Sequence, residues 1–126
     1  MAADQFNLSG GYTCEPLGTP TSFAASIDAV IGEALVLKAK HYDTILLSAD
    51  AVSVVSFGGV VNAHVVILKA TGKVKARVTS TDGATQAVPF DTYWILMSQS
   101  VPITAIDLTR VPATDTTVFV FLGEKA

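Results

Sequence analysis

The chain carries two histidines, His41 and His64, and a single cysteine, Cys14. In "KHYDT" His41 and Asp43 stand two positions apart, so on a strand they would share a face. An imidazole and a carboxylate so placed can act as a general base or, joined by His64, as ligands of a metal ion. The competing reading makes His41, Tyr42 and Asp43 the polar turn between "LVLKAK" and "TILLS", with His64 a solvated residue at the start of a strand. Serine is abundant, but none occupies the Gly-x-Ser-x-Gly setting that exposes a nucleophile, so a Ser/His/Asp triad has no anchor. "ATGKV" joins Gly72 to Lys73 but lacks the spaced glycines of a phosphate loop and lies between strand-like segments; it reads as a hairpin turn. These residues point to no catalytic centre, no metal site and no cofactor, and Cys14 reads as an inert thiol.

The remaining candidates are binding residues. Lys69, Lys73, Lys75 and Arg77, with Lys38 and Lys40 as an extension, form the one basic cluster. Such a cluster can dock phosphate or an acidic partner, or it can protect a sheet edge from pairing with other chains. Aromatic residues do not interleave with these charges, and the formal net charge is −3, so nucleic acid is not the expected partner. Tyr93 and Trp94 are a conceivable sugar-stacking pair, but within "TYWILM" they fit a core or a subunit interface better.

The elements that must position these residues are strands. Residues 1–21 carry Gly10, Gly11, Pro16, Gly18 and Pro20 among scattered apolar residues and no sustained period. They read as an N-terminal arm, either frayed or ordered against a neighbouring subunit through Phe6, Leu8, Tyr12 and Leu17. Residues 22–126 form one domain. Between Ser22 and Ile31 a helical turn and a strand are both compatible with the pattern. From Glu33 onward period-2 alternation dominates. Leu35 and Leu37 share a face, Val52 and Val54 oppose Val55 and Phe57, and Gly58–Gly59 marks a turn. "AHVVILKA" leads through Thr71 and Gly72 into "KVKARVT" as a hairpin, with Val74, Ala76 and Val78 opposite Lys73, Lys75 and Arg77. Asp82–Gly83 and Pro112 signal further turns, and Pro89 limits a short strand. Eight or nine short strands at this spacing, the spacing of sandwiches and barrels, predict an all-β fold, read as a two-sheet β-sandwich.

Composition narrows the function. Charged residues are 15% of the chain and apolar ones 50%, against about 25% charged in an ordinary globular protein. Ser and Thr supply much of the polar surface, and they pack against another protein without the desolvation cost of an ion. With one cysteine no intramolecular disulfide can form, which fits synthesis in a reducing cytoplasm. "MAADQFNLSG" lacks the features of a secretory signal, and no apolar run approaches the ~20 residues of a membrane span, so neither export by its own signal nor a membrane partner is expected.

The closing stretch "TVFVFLGEKA" places Phe119 and Phe121 on one side of a strand and Val118, Val120 and Leu122 on the other. One sandwich buries only one of these faces, so a second subunit is expected on the Phe119–Phe121 side, with Trp94, Lys73, Lys75 and Arg77 as further interface candidates. The block "DTYWILMSQSVPITAIDLTRVPATDTTVFVFLGEKA", preceded by "AHVVILKATGKVKARVTS", resembles the small all-β structural proteins of tailed-bacteriophage virions, of the capsid decoration or cement type. The resemblance lies in style over residues 33–126, namely short Thr/Val-rich strands, few charges and an apolar closing strand. It implies a jelly-roll-like sandwich and a non-enzymatic virion protein, made in the host cytoplasm, that binds the major capsid protein lattice as a homo-oligomer, with a trimer favoured. A tail-fibre or adhesin-like glycan-binding module is the alternative, and a small hydrolase or metal enzyme using His41, Asp43 and His64 comes third.

Overall fold

The computed structural model of the protein describes residues 4–8 and 33–126. The stretch from Ser22 to Ile31, Cys14 and most of the expected arm lie outside the described residues. The strands are β1 (Asp4–Leu8), β2 (Glu33–Leu47), β3 (Ser53–Val54), β4 (Val65–Ala70), β5 (Val74–Ser80), β6 (Thr85–Phe90), β7 (Tyr93–Met97), β8 (Ile103–Arg110) and β9 (Thr116–Lys125). No helix occurs among the described residues.

The chain divides into two compact units, Met1–Leu37 and Lys38–Ala126. In the first, β1 pairs antiparallel with the opening residues of β2, from Asp4 opposite Leu37 to Leu8 opposite Glu33. This strand falls within the stretch expected to be an arm.

In the second unit the strands form two antiparallel sheets, ordered β2-β9-β4-β7 and β3-β8-β5-β6. Val66, Leu68, Val118, Val120 and Leu122 of the first sheet share one buried cluster with Val74, Ala76, Val78, Ile106 and Leu108 of the second. This is the all-β, two-sheet arrangement that period-2 patterning predicts, and it is consistent with a β-sandwich. Each of these strands gives alternate residues to the core, so its remaining side chains point outward.

Three local expectations are corrected. His41, Tyr42 and Asp43 do not form a turn; β2 runs through them as a single strand of 15 residues. Asp43 is the one turn-favouring residue between Lys38 and Thr44, where Gly, Pro and Asn are absent, and the alternation that buries Leu37 continues in phase through Ala39, His41, Asp43 and Ile45 to buried Leu47. Thr71–Gly72 is not a hairpin turn, because β4 and β5 belong to different sheets. A two-residue turn would set Leu68 opposite Lys75 and Val66 opposite Arg77, mixing core and solvent faces. The chain crosses between sheets instead. Thr71 exchanges hydrogen bonds with Thr117, whose N–H donates to Thr71 Oγ1 and whose carbonyl accepts from Thr71 N–H, each at 3.0 Å. A Cβ on Gly72 would come within 3.1 Å of Thr116 Oγ1, so the crossing passes where a side chain fits poorly. Finally, the strand expected in "AVSVVSF" is confined to Ser53–Val54, although Val52 and Val54 are exposed and Val55 is buried as the alternation requires.

The turns signalled by glycine are present. Gly58 and Gly83 adopt positive φ of 57° and 84°, the region glycine enters without steric cost. Asp82 holds the β5–β6 hairpin closed by accepting from the N–H of Ala84 and the hydroxyl of Ser80. Pro89 sits on β6, an edge strand, where its missing N–H costs no ladder bond.

The core makes a direct prediction. Leu68 is fully buried, so Leu68→Ala should lower the unfolding free energy by about 2–5 kcal/mol in urea titration, whereas Val54→Ala, at 75% exposure, should change it by about 0.5 kcal/mol or less.

Candidate functional site

The sequence candidates for chemistry do not converge. His41 and Asp43 share a face of β2, with His41 Nε2 3.9 Å from Asp43 Oδ2. The His41 ring lies against Gly58, where an added Cβ would sit 2.5 Å from Nδ1. Asp43 Oδ1 accepts from the N–H of Thr44 at 2.8 Å. His64 is employed elsewhere: its Nδ1 accepts from the N–H of Lys125 at 3.1 Å, tying the start of β4 to the end of β9. Among the described residues no three His, Cys, Asp or Glu side chains gather as metal ligands. What the sheets do assemble are two outward faces of contrasting character.

On the sheet β2-β9-β4-β7 the outward face carries an apolar row, bordered by Lys38, Lys40, Thr44 and Lys69. Ile67 of β4 stands opposite Phe121 of β9 on one side and Ile95 of β7 on the other. The Tyr42 ring of β2 approaches Phe121 with centroids 5.0 Å apart and an interplanar angle of 54°, a tilted aromatic contact. Tyr42, Phe121, Ile67 and Ile95 thus make one row across four strands. A second row runs Phe119, Lys69, Tyr93, with Lys69 Nζ 5.7 Å from the Tyr93 ring centroid. Tyr42 is 67%, Tyr93 54%, Ile95 49% and Phe119 44% exposed. Phe119 and Phe121 occupy the outward side, as their spacing implies, while Val118, Val120 and Leu122 are buried. Trp94 points the other way, half-buried against the core. Its place in the row is taken by Ile95, and Tyr42 and Ile67 join from strands that the sequence did not connect. The signal for Tyr42 was hidden because "HYD" resembles a turn.

On the sheet β3-β8-β5-β6 the outward face carries the basic residues, with Asp107 among them. Lys73, Lys75 and Arg77 are exposed while Val74, Ala76 and Val78 are buried. β5 lies between β8 and β6 and is not an edge, so edge protection does not account for these charges. Lys75 stands opposite Thr109 and Pro89, and Arg77 opposite Asp107 and Ala87.

A third cluster is structural. The guanidinium of Arg110, only 8% exposed, donates from Nε to Asp50 at 2.9 Å and from Nη1 to Asp115 at 2.6 Å. Asp50 also accepts from the N–H of Ala113 at 3.0 Å. Ala113 has φ of 61°, a conformation costly for a residue with a Cβ, and the Asp50 bond holds it there. Compared with known family models, curated proteins and solved structures, the chain matches none.

The Ala113 N–H bond, seconded by Arg110, holds the Asp50 carboxyl below its ordinary value of 3.8. A depressed carboxylate pKa stabilises the fold above the unfolded value, and that contribution is lost as pH falls through the folded one. Asp50→Asn should therefore lower the melting temperature at neutral pH and lose less on acidification below about pH 4 than the parent chain, as read by thermal melts across that range.

Proposed function

We propose that the protein is a structural virion protein of a tailed bacteriophage, a capsid decoration or cement protein that self-associates and binds the coat lattice to stabilise the shell. It performs no reaction. The observation that carries this reading is the strand order. From β2 onward the pairs β2–β9, β3–β8, β4–β7 and β5–β6 are all sheet neighbours. A chain folded once into a long ribbon and then wound over itself produces this nesting. We read the fold as a jelly roll, an architecture that recurs in viral capsid and lectin domains.

Fold alone does not choose between those uses; the outward rows support the first. Tyr42, Tyr93, Ile95 and Phe119 lie between 44% and 67% exposed, and large apolar side chains exposed side by side are a mark of a protein contact surface. A sugar platform needs aromatic faces beside carboxylates or amides. Tyr42, Phe121, Ile67 and Ile95 offer an apolar row instead, which supports protein contact over glycan binding. A second copy covering this face gives the homo-oligomer, with a trimer taken from the resemblance to decoration proteins.

Light scattering on the purified protein should report a multiple of the 13.1 kDa chain mass. Phe119→Asp combined with Ile95→Asp should shift it toward monomer while the β-type circular dichroism persists. The protein should also co-sediment with expanded empty shells of the phage that encodes it. A monodisperse monomer that ignores such shells and binds oligosaccharide would replace this reading with the tail-fibre one.

A further inference from the structure

Eight side chains in the chain are basic, and five of them are engaged. Lys38 faces Glu124, Arg110 holds Asp50 and Asp115, Lys125 donates to the Gln99 carbonyl, Lys69 lies over Tyr93, and Lys40 also has a partner. The side chains of the other three, Lys73, Lys75 and Arg77, make no ion pair or hydrogen bond with a described residue. Arg77 leaves Asp107 unpaired although the register sets the two opposite one another.

These three occupy successive outward positions at the start of and along β5, about 7 Å apart. The backbone of β5 is already committed to β8 and β6, so only side chains are offered to a partner. Along them run two adjoining concavities, of about 500 and 750 Å³, both lined by Lys75 and Thr109. The narrower one reaches Arg77 and Ala87; the wider one reaches Lys73 and ends on the apolar surfaces of Phe90 and Pro112.

We propose that this trough docks an extended acidic segment of a partner protein. Carboxylates at alternate positions of the segment meet Lys73, Lys75 and Arg77, and an apolar side chain enters the wider cleft beside Phe90 and Pro112. The occupant follows from charge complementarity: the chain has 11 acidic residues against eight basic ones, yet the cations with no partner among the described residues are gathered on β5 and the residue before it. Alternation favours a peptide over nucleic acid. Asp107 stands beside Arg77 and Asp91 lines the wider cleft, so a phosphate chain charged at every step meets repulsion where a peptide places neutral residues. The inference is drawn from this face alone and stands whether or not the partner belongs to a capsid.

The test uses a fluorescein-labelled hexapeptide of alternating aspartate and threonine closed by leucine, with anisotropy read at about 50 mM and 300 mM salt. Binding should weaken with salt. It should fall at least about tenfold in Lys75→Glu combined with Arg77→Glu, whose melting curve confirms folding, and hold in Lys125→Gln. Absence of binding at low salt, indifference to the double substitution, or equal binding of a peptide with lysine in place of aspartate would overturn the proposal. Tighter binding of single-stranded oligothymidylate than of the peptide would overturn it in favour of nucleic acid.

Discussion

The burial of Val118, Val120 and Leu122 between two sheets is the constraint on which the molecule turns. β9 lies between β2 and β4, so the phase of its alternation is shared with its neighbours through the ladder. Once those three residues face inward, Phe119 and Phe121 must face out, and Ile67, Ile95 and Tyr42 come into line beside them. The apolar surface is a consequence of the core's registration. Shifting β9 by one residue would bury the phenylalanines and expose the valines, and a core fitted to valine and leucine does not hold two aromatic rings without strain.

The end of the same strand shows what a buried charge requires. Glu124 is 4% exposed, yet its carboxylate accepts from the N–H of Val61 at 3.0 Å and faces Lys38 Nζ at 3.7 Å. A carboxylate withdrawn from water is tolerated only with such partners. With His64 accepting from Lys125 and Lys125 donating to Gln99, the polar residues after Leu122 are absorbed in fastening the C-terminal end of β9. That arrangement explains why residues that look like chemistry in the sequence are spent on structure.

Alternation was the part of the fold that could be read in advance. The all-β class, the two faces of β5 and the sidedness of β9 follow from period 2 alone. The paths between strands did not, because a short polar link such as Thr71–Gly72 suits a hairpin and a crossing between sheets equally well. The decision rests on the distant contact with Thr116 and Thr117, which no local pattern contains. The continuity of β2 was obscured for a related reason: His41 and Asp43 are polar but in phase with Leu37 and Leu47. The apolar row was legible only in part, since Phe119 and Phe121 announce themselves while Tyr42, Ile67 and Ile95 are brought alongside by the topology. The basic face was visible, but its interior position in the sheet, which removes edge protection as an explanation, was not.

The crossings between sheets also govern how the chain reaches its fold. Within Lys38–Ala126, β5 and β6 are the one pair of consecutive strands that are also sheet neighbours. All other pairings join segments distant in sequence, β2 with β9 most of all. Loop-closure entropy must be met before such contacts reward it, a topology that slows folding in general, and the hairpin around Asp82 and Gly83 is the pairing that meets the least of it. While β9 is still unpaired, Phe119 and Phe121 sit on an open strand with high β-propensity and few charges, the form most prone to cross-chain pairing. The outward apolar row of the finished sheet is thus also the stretch most exposed to cross-chain pairing during synthesis.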